Sequence, residues 1–167
     1  MTQTTQTRTI SLAQWYAMAC EGAAPSVTIV LDGDSMRPFI RRGKDPVTIV
    51  PLKRELMIGD VVLFELAGRY VVHRVWKLQG SRVRTLGDNC WNPEPWFPQE
   101  QVLGLAVRYQ RDGRVIPLDS PFARWQGRVW MTLHSIRKCY LRLRSVAARC
   151  YRKVFPKKRK AVTGSGE

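Results

Sequence analysis

Between residues 27 and 116 the chain repeats one pattern: a short β-branched or aromatic run, a glycine, proline or aspartate, then another run. The stretches 27–31, 47–50, 61–65, 70–78, 82–86 and 102–109 all have the length and composition of strands. Side chains that crowd Cβ lose rotamers in a helix but pack well on a pleated surface, so such runs favour a sheet. Ala67-Gly68-Arg69 and Gln79-Gly80 read as hairpin turns, and Asp112-Gly113 suits a tight turn before Val115-Ile116. The fold class expected is mainly β.

Two helical segments flank this β-rich stretch. Ser11 to Cys20 suits a short amphipathic helix with Ser11 near its N-cap and Leu12, Trp15, Tyr16 and Met18 as candidates for burial. From about Pro121 the period changes. Trp125, Val129, Leu133, Ile136, Tyr140, Leu143, Ala147, Cys150 and Val154 recur at spacings of three and four, which makes one apolar stripe on a long helix. A continuous helix there would be roughly 45–50 Å long at 1.5 Å per residue. Most of the arginines and lysines fall off the stripe, and Pro156 with the run Lys157-Lys158-Arg159-Lys160 ends it. The expected organisation is an N-terminal extension over 1–24, a β-rich domain over 25–119, a basic amphipathic helix over 120–156 and a disordered tail over 157–167.

Charge divides along the same line. The 167-residue chain carries +15 at pH 7, yet residues 120–167 hold 13 Lys+Arg against one acid, while residues 1–119 hold 15 against 12. The basicity thus belongs to the C-terminal helix, which could lie on an anionic membrane surface, pack its stripe on the β domain or bind nucleic acid. Nucleic acid is the least expected of the three. Four scattered cysteines and two histidines supply neither a zinc pattern nor a disulfide framework, so no metal and no cofactor are expected. The charge-free stretch from Thr9 to Cys20 is too short for about 30 Å of hydrocarbon and lacks the features of a secretory signal. The expected location is cytoplasmic, with at most peripheral attachment to the cytoplasmic membrane face.

Chemistry concentrates in three places. Gly33-Asp34-Ser35-Met36-Arg37-Pro38 puts a serine on a turn just after a strand, where unpaired backbone N–H groups could bind an oxyanion. A serine hydroxyl is a poor nucleophile until a neighbouring base takes its proton. One of the two histidines, His73, lies in a strand with Val71 and Val75 on its own face and Val72, Arg74 and Trp76 on the other. Its ordinary pKa of about 6.5 suits it to be that base near neutral pH. Leu86-Gly87-Asp88-Asn89 adds a carboxylate that could orient the imidazole. Each of the three also has an ordinary reading, as turn serine, strand histidine and turn aspartate.

Asp34-Ser35-Met36-Arg37-Pro38, then 58–64 (Ile-Gly-Asp-Val-Val-Leu-Phe), Val72-His73-Arg74-Val75, Gly87-Asp88-Asn89 and Val102-Leu103-Gly104 together resemble the ordered boxes of the signal peptidase I and LexA-like serine peptidases. The His-Arg pair is similar to the archaeal and endoplasmic-reticulum branch, in which histidine replaces the usual lysine base. The resemblance implies a coiled β-sheet domain with Ser35 as nucleophile, His73 as general base and an acid from the third region as its partner. Asp88 is preferred for that role, with Glu94, six positions on, as the alternative. Gly33 stands where many signal peptidases carry a hydroxyl, so oxyanion help falls to backbone N–H groups of the turn at Gly33, Asp34, Ser35 and Met36. Asp34 and Asp60 match the boxes but are read as turn-shaping residues. The membrane anchor of signal peptidases is not evident.

The function expected is a serine endopeptidase that cuts a leader or signal-like segment of a peptide or protein in trans. The alternatives are a LexA-type self-cleaving or non-catalytic regulator and a basic membrane- or nucleic-acid-binding β protein. About 25 residues before the β section are too few for a DNA-reading helix-turn-helix. The sequence leaves the substrate and the oligomeric state open.

Overall fold

The structure, a computed structural model, describes residues 12–20, 26–133, 136 and 139. One compact unit ends at Met131 and a second begins at Thr132. Its first helix, α1, spans Leu12–Cys20. Eight strands follow: β1 Val27–Val30, β2 Pro46–Pro51, β3 Val61–Leu66, β4 Arg69–Gln79, β5 Arg82–Leu86, β6 Phe97–Pro98, β7 Val102–Arg111 and β8 Arg114–Pro117. A single 3-10 turn, Gln99–Gln101, leads into β7, and helix α2 spans Pro121–Thr132.

The strands form one antiparallel sheet in the order β1-β2-β7-β3-β4-β5-β6, with β8 paired to β7. The mainly β expectation therefore holds, and the strand-like runs fall where they were read. The two-residue strand β6, interrupted by proline, carried too little signal to be read. The tight turns follow from residue type. Ala67-Gly68 joins β3 to β4 with φ of 51° and 72°, and Asp112-Gly113 joins β7 to β8 with φ of 50° and 80°. Both central residues in the left-handed region give the turn whose twist matches the flanking strands. The register slips by one residue at Val107 and Leu103 of β7, opposite β2 and β3, and at Trp76 of β4, opposite β5, and such bulges bend the strand that carries them.

Both faces of the sheet are covered by apolar side chains. Alternation along β3 sends Val61 and Leu63 into a cluster with Met36, Ile40, Val47, Ile49 and Val72, and sends Val62 and Phe64 into a second cluster with Val75, Val83, Phe97 and Leu105. Helix α1 caps the first cluster through Trp15, which is fully buried. Gly104 makes that possible, since a Cβ there would stand 2.8 Å from the Trp15 ring and 2.7 Å from Ile49. Tyr16 packs beside the cluster, but Met18 is exposed, against expectation, because a short helix seated on one indole buries only a narrow stripe. The Leu12 side chain lies outside the described residues.

Helix α2 begins at Pro121, where the change of period placed it. The Ser120 hydroxyl accepts from Ala123 N at 3.1 Å, and Pro121 supplies the first-turn position that needs no N–H donor. All but the last residue of α2 belongs to the unit that contains the sheet, so that unit runs past the boundary expected at 119. Its contacts to the β domain use Gly127, Arg124, Arg128, Trp130 and Met131. Trp125 and Val129, which open the apolar stripe, face away and are exposed. Docking thus occurs through the face opposite the stripe. The continuation as one basic helix to 156, with Tyr140, Leu143, Ala147, Cys150 and Val154, and the tail over 157–167 lie outside the described residues, as does the N-terminal stretch over 1–11.

Candidate active site

The serine turn is held from three sides. Arg37 N donates to Asp34 O at 3.2 Å and Ile40 N to Met36 O at 2.9 Å, while Met36 and Ile40 bury their side chains in the first cluster. Asp34 also pairs with Arg37 at 3.0 Å on the surface, a turn-shaping role. Farther along, the buried Asp45 carboxylate accepts from Arg41 N and Nε at 2.9 Å and from Arg111 Nη2 at 2.8 Å. Burial alone would raise the Asp45 pKa, but these hydrogen bonds outweigh it and hold the carboxylate down at about 2. The knot ties the Ser35 loop to the end of β7.

His73 sits in the middle of β4, buried, with its ring 6.1 Å from the Phe64 ring. Burial pushes the imidazole down to about 4, because the apolar surroundings penalise the charged form. It is therefore neutral at pH 7, as a general base must be. Its Nδ1 makes no hydrogen bond, and Glu94 Oε1 lies 3.4 Å away. Glu94 is itself held by its backbone: its N donates to Thr85 O at 2.9 Å and its O accepts from Arg84 Nε at 2.8 Å.

Gly87 is where the nucleophile and base regions meet. A Cβ at that position would stand 2.9 Å from His73 Nε2, 2.9 Å from the Ser35 carbonyl oxygen and 2.6 Å from Cys90 Sγ. The imidazole and the serine turn thus border one small space that only glycine leaves open. The next residues clamp it: Asn89 N donates to Ser35 O at 2.7 Å, and Asn89 Nδ2 to Asp34 O at 3.2 Å. It is the Ser35 carbonyl oxygen that borders this space with His73 Nε2, and no hydrogen bond joins the Ser35 hydroxyl to the imidazole. A Cβ at Gly33, in contrast, would come no nearer than 4.0 Å to Ser35 N and Oγ, so space does not demand glycine there.

Asp88, the preferred partner of His73, is placed elsewhere. It forms a bidentate pair with Arg74, Oδ1 accepting from Nε at 2.9 Å and Oδ2 from Nη2 at 2.8 Å, with both side chains buried. Arg74 Nη1 donates to Gly59 O at 2.9 Å, and its guanidinium lies 5.2 Å from the Phe39 ring centre. Trp130 Nε1 donates to Asp88 O at 2.9 Å, which fastens α2 to the same turn. Arg74 and His73 are neighbours on opposite faces of β4, so the acid that serves one is turned from the other. The acid nearest the imidazole is Glu94. Asp60 shapes a turn as read: it accepts from Arg54 at 2.7 and 2.8 Å and from Met57 N at 2.8 Å.

Ser35 opens onto a groove of about 400 Å³. One wall is the end of β1 and its loop (Ile29, Val30, Leu31, Asp32, Gly33); the other is the start of β4 (Tyr70, Val71, Val72) with Leu63. A larger cavity of about 530 Å³ at Val50, Pro51, Lys53 and Arg54 contains neither Ser35 nor His73. Among the described residues no cluster of three or more His, Cys, Asp or Glu could hold a metal, and no helix is long and apolar enough to cross a membrane.

Three participants were not read from the sequence: Arg74 as the owner of Asp88, Asn89 as the clamp on Ser35, and Trp130. A signal existed for the first. An arginine inside an apolar strand demands a buried acid, and Asp88 is the carboxylate on the turn after the next strand. Neither Asn89 nor Trp130 carries any pattern that distinguishes it from an ordinary turn or helix residue. No family model matches the chain, and no curated protein matches it.

Proposed function

We propose that the protein is a serine endopeptidase of the signal peptidase-like kind, with Ser35 as nucleophile, His73 as general base and Glu94 as the carboxylate that stabilises the imidazolium. The observation that carries this reading is the convergence of the Ser35 backbone carbonyl and His73 Nε2 on the space at Gly87, with Ser35 also lining a groove. In the first step the Ser35 hydroxyl proton passes to Nε2 as Oγ bonds to the scissile carbonyl carbon. His73 then returns that proton to the leaving amine as the C–N bond breaks, and water hydrolyses the acyl-enzyme by the same exchange. Backbone N–H groups of the 33–36 turn are the candidates for holding the oxyanion.

The groove favours an extended peptide as substrate. Its walls are mostly apolar strand residues, and β1 stands at one end of the strand order among the described residues, an edge beside which a substrate strand could lie. A leader or signal-like segment, extended and apolar near its cut site, has that chemistry.

Ser35→Ala and His73→Ala should each abolish cleavage of a leader-bearing peptide while leaving the thermal transition in place. A fluorophosphonate probe should label the wild-type chain and not Ser35→Ala. Undiminished cleavage by either variant would sink the assignment and return Ser35 and His73 to the ordinary roles of turn and strand residues.

A further inference from the structure

The face of α2 that points away from the sheet is apolar and exposed. Phe122 and Trp125 are 67% and 59% exposed with ring centres 5.9 Å apart, and Val129 follows one turn later. Met57 and Ile58 are exposed next to the helix, where Arg128 Nε donates to Ile58 O at 2.9 Å. In the sequence the same spacing continues to Leu133 and Ile136, both exposed. The helix has no need of this face for packing, because Gly127, Trp130 and Met131 already seat it. A Cβ at Gly127 would stand 2.5 Å from Arg74 Nη1, which shows how closely the opposite face is docked.

Charge identifies the occupant. From Ser120 to the end there are 13 Lys+Arg and one acid, so α2 opens the most basic part of the sequence. A protein groove lined with acids would satisfy the charges but would not explain an indole and a phenyl ring displayed together. An interface of apolar chains beneath anionic headgroups satisfies both, and tryptophan favours that depth. We propose that α2 seats its Phe122–Trp125–Val129 face on an anionic phospholipid bilayer. Each Lys or Arg near such a surface strengthens partitioning about fivefold. This inference stands independently of the peptidase reading, since it requires no chemistry at Ser35.

The test uses the full chain with two kinds of vesicle, phosphatidylcholine alone and phosphatidylcholine with phosphatidylglycerol. The expected result is co-sedimentation with the anionic vesicles that weakens as salt shortens the Debye length from about 10 Å to about 3 Å. Acyl chains brominated near the headgroup should quench tryptophan emission, and Trp125→Phe should remove most of that quenching. The triple variant Phe122→Ser, Trp125→Gln, Val129→Ser keeps every charge and alters only exposed positions, so it should fold normally and bind on the order of tenfold more weakly or worse. Failure of the wild-type chain to sediment with anionic vesicles at low salt overturns the proposal. So does a folded triple variant that binds as tightly as wild type, which would assign the affinity to charge alone. Displacement from the vesicles by a DNA duplex that binds more tightly would overturn it in favour of nucleic acid.

Discussion

A buried guanidinium is a stronger claimant on a carboxylate than a neutral imidazole, and that contest decides the roles of the two acids near His73. Arg74 cannot lose its charge, so it must have Asp88; His73 meets burial by staying neutral and leaves Glu94 at 3.4 Å. The two acids should therefore respond differently to neutralisation. Asp88→Asn strands the Arg74 charge in the interior and should cost about 3–5 kcal/mol of stability by urea denaturation. Glu94→Gln should leave the melting temperature nearly unchanged but lower kcat by on the order of a hundredfold or more, since the imidazolium formed in the reaction loses its counter-charge. The reverse pattern would restore Asp88 as the orienting acid. Because protonation silences the base and burial holds His73 at about 4, the acid limb of kcat/KM should lie near pH 4, well below 6.5. At this scale Ser35 and His73 were legible as candidates because each residue type announces its chemistry. The acid was not, because a carboxylate's partner depends on which face of a strand its competitors occupy.

Secondary structure was legible for a different reason. Strand runs, hairpin glycines and the helix start at Pro121 are local preferences, and local preferences survive folding when nothing tertiary opposes them. The apolar stripe from Trp125 was legible as periodicity, but periodicity does not say which face docks. Gly127 settles it: the helix approaches Arg74 where a side chain is missing, and the small residue outweighs the apolar stripe as the site of closest packing. Gly127→Ala should thus loosen α2 despite the better helix propensity of alanine, with a net loss of about 1–3 kcal/mol measured by thermal or urea unfolding. Ala67 offers the opposite case. It holds φ of 51° in the β3–β4 turn, a conformation that asparagine tolerates better, so Ala67→Asn should stabilise the hairpin by about 0.5–1 kcal/mol.

For the molecule as a whole, the buried histidine and the Asp45 knot set how stability varies with pH. His73 takes a proton near 6.5 when unfolded but only near 4 when folded, so between those values the unfolded chain binds the extra proton. Stability should fall as pH drops through that window, by up to about 3 kcal/mol, and His73→Gln should remove that dependence from denaturation curves. Asp45 acts lower: its contribution is complete above about 4 and is lost as pH falls toward 2. Across the same fold, the short turn over 87–89 joins parts distant in sequence: Asn89 holds the Ser35 loop, Asp88 holds β4 through Arg74, and the Asp88 carbonyl holds α2. Its amide protons are therefore a spectroscopic clock for the site. The Asn89 N–H, locked on the Ser35 carbonyl, can exchange with deuterium only when that junction opens, so its exchange rate reports the lifetime of the assembled centre with no substrate or inhibitor present.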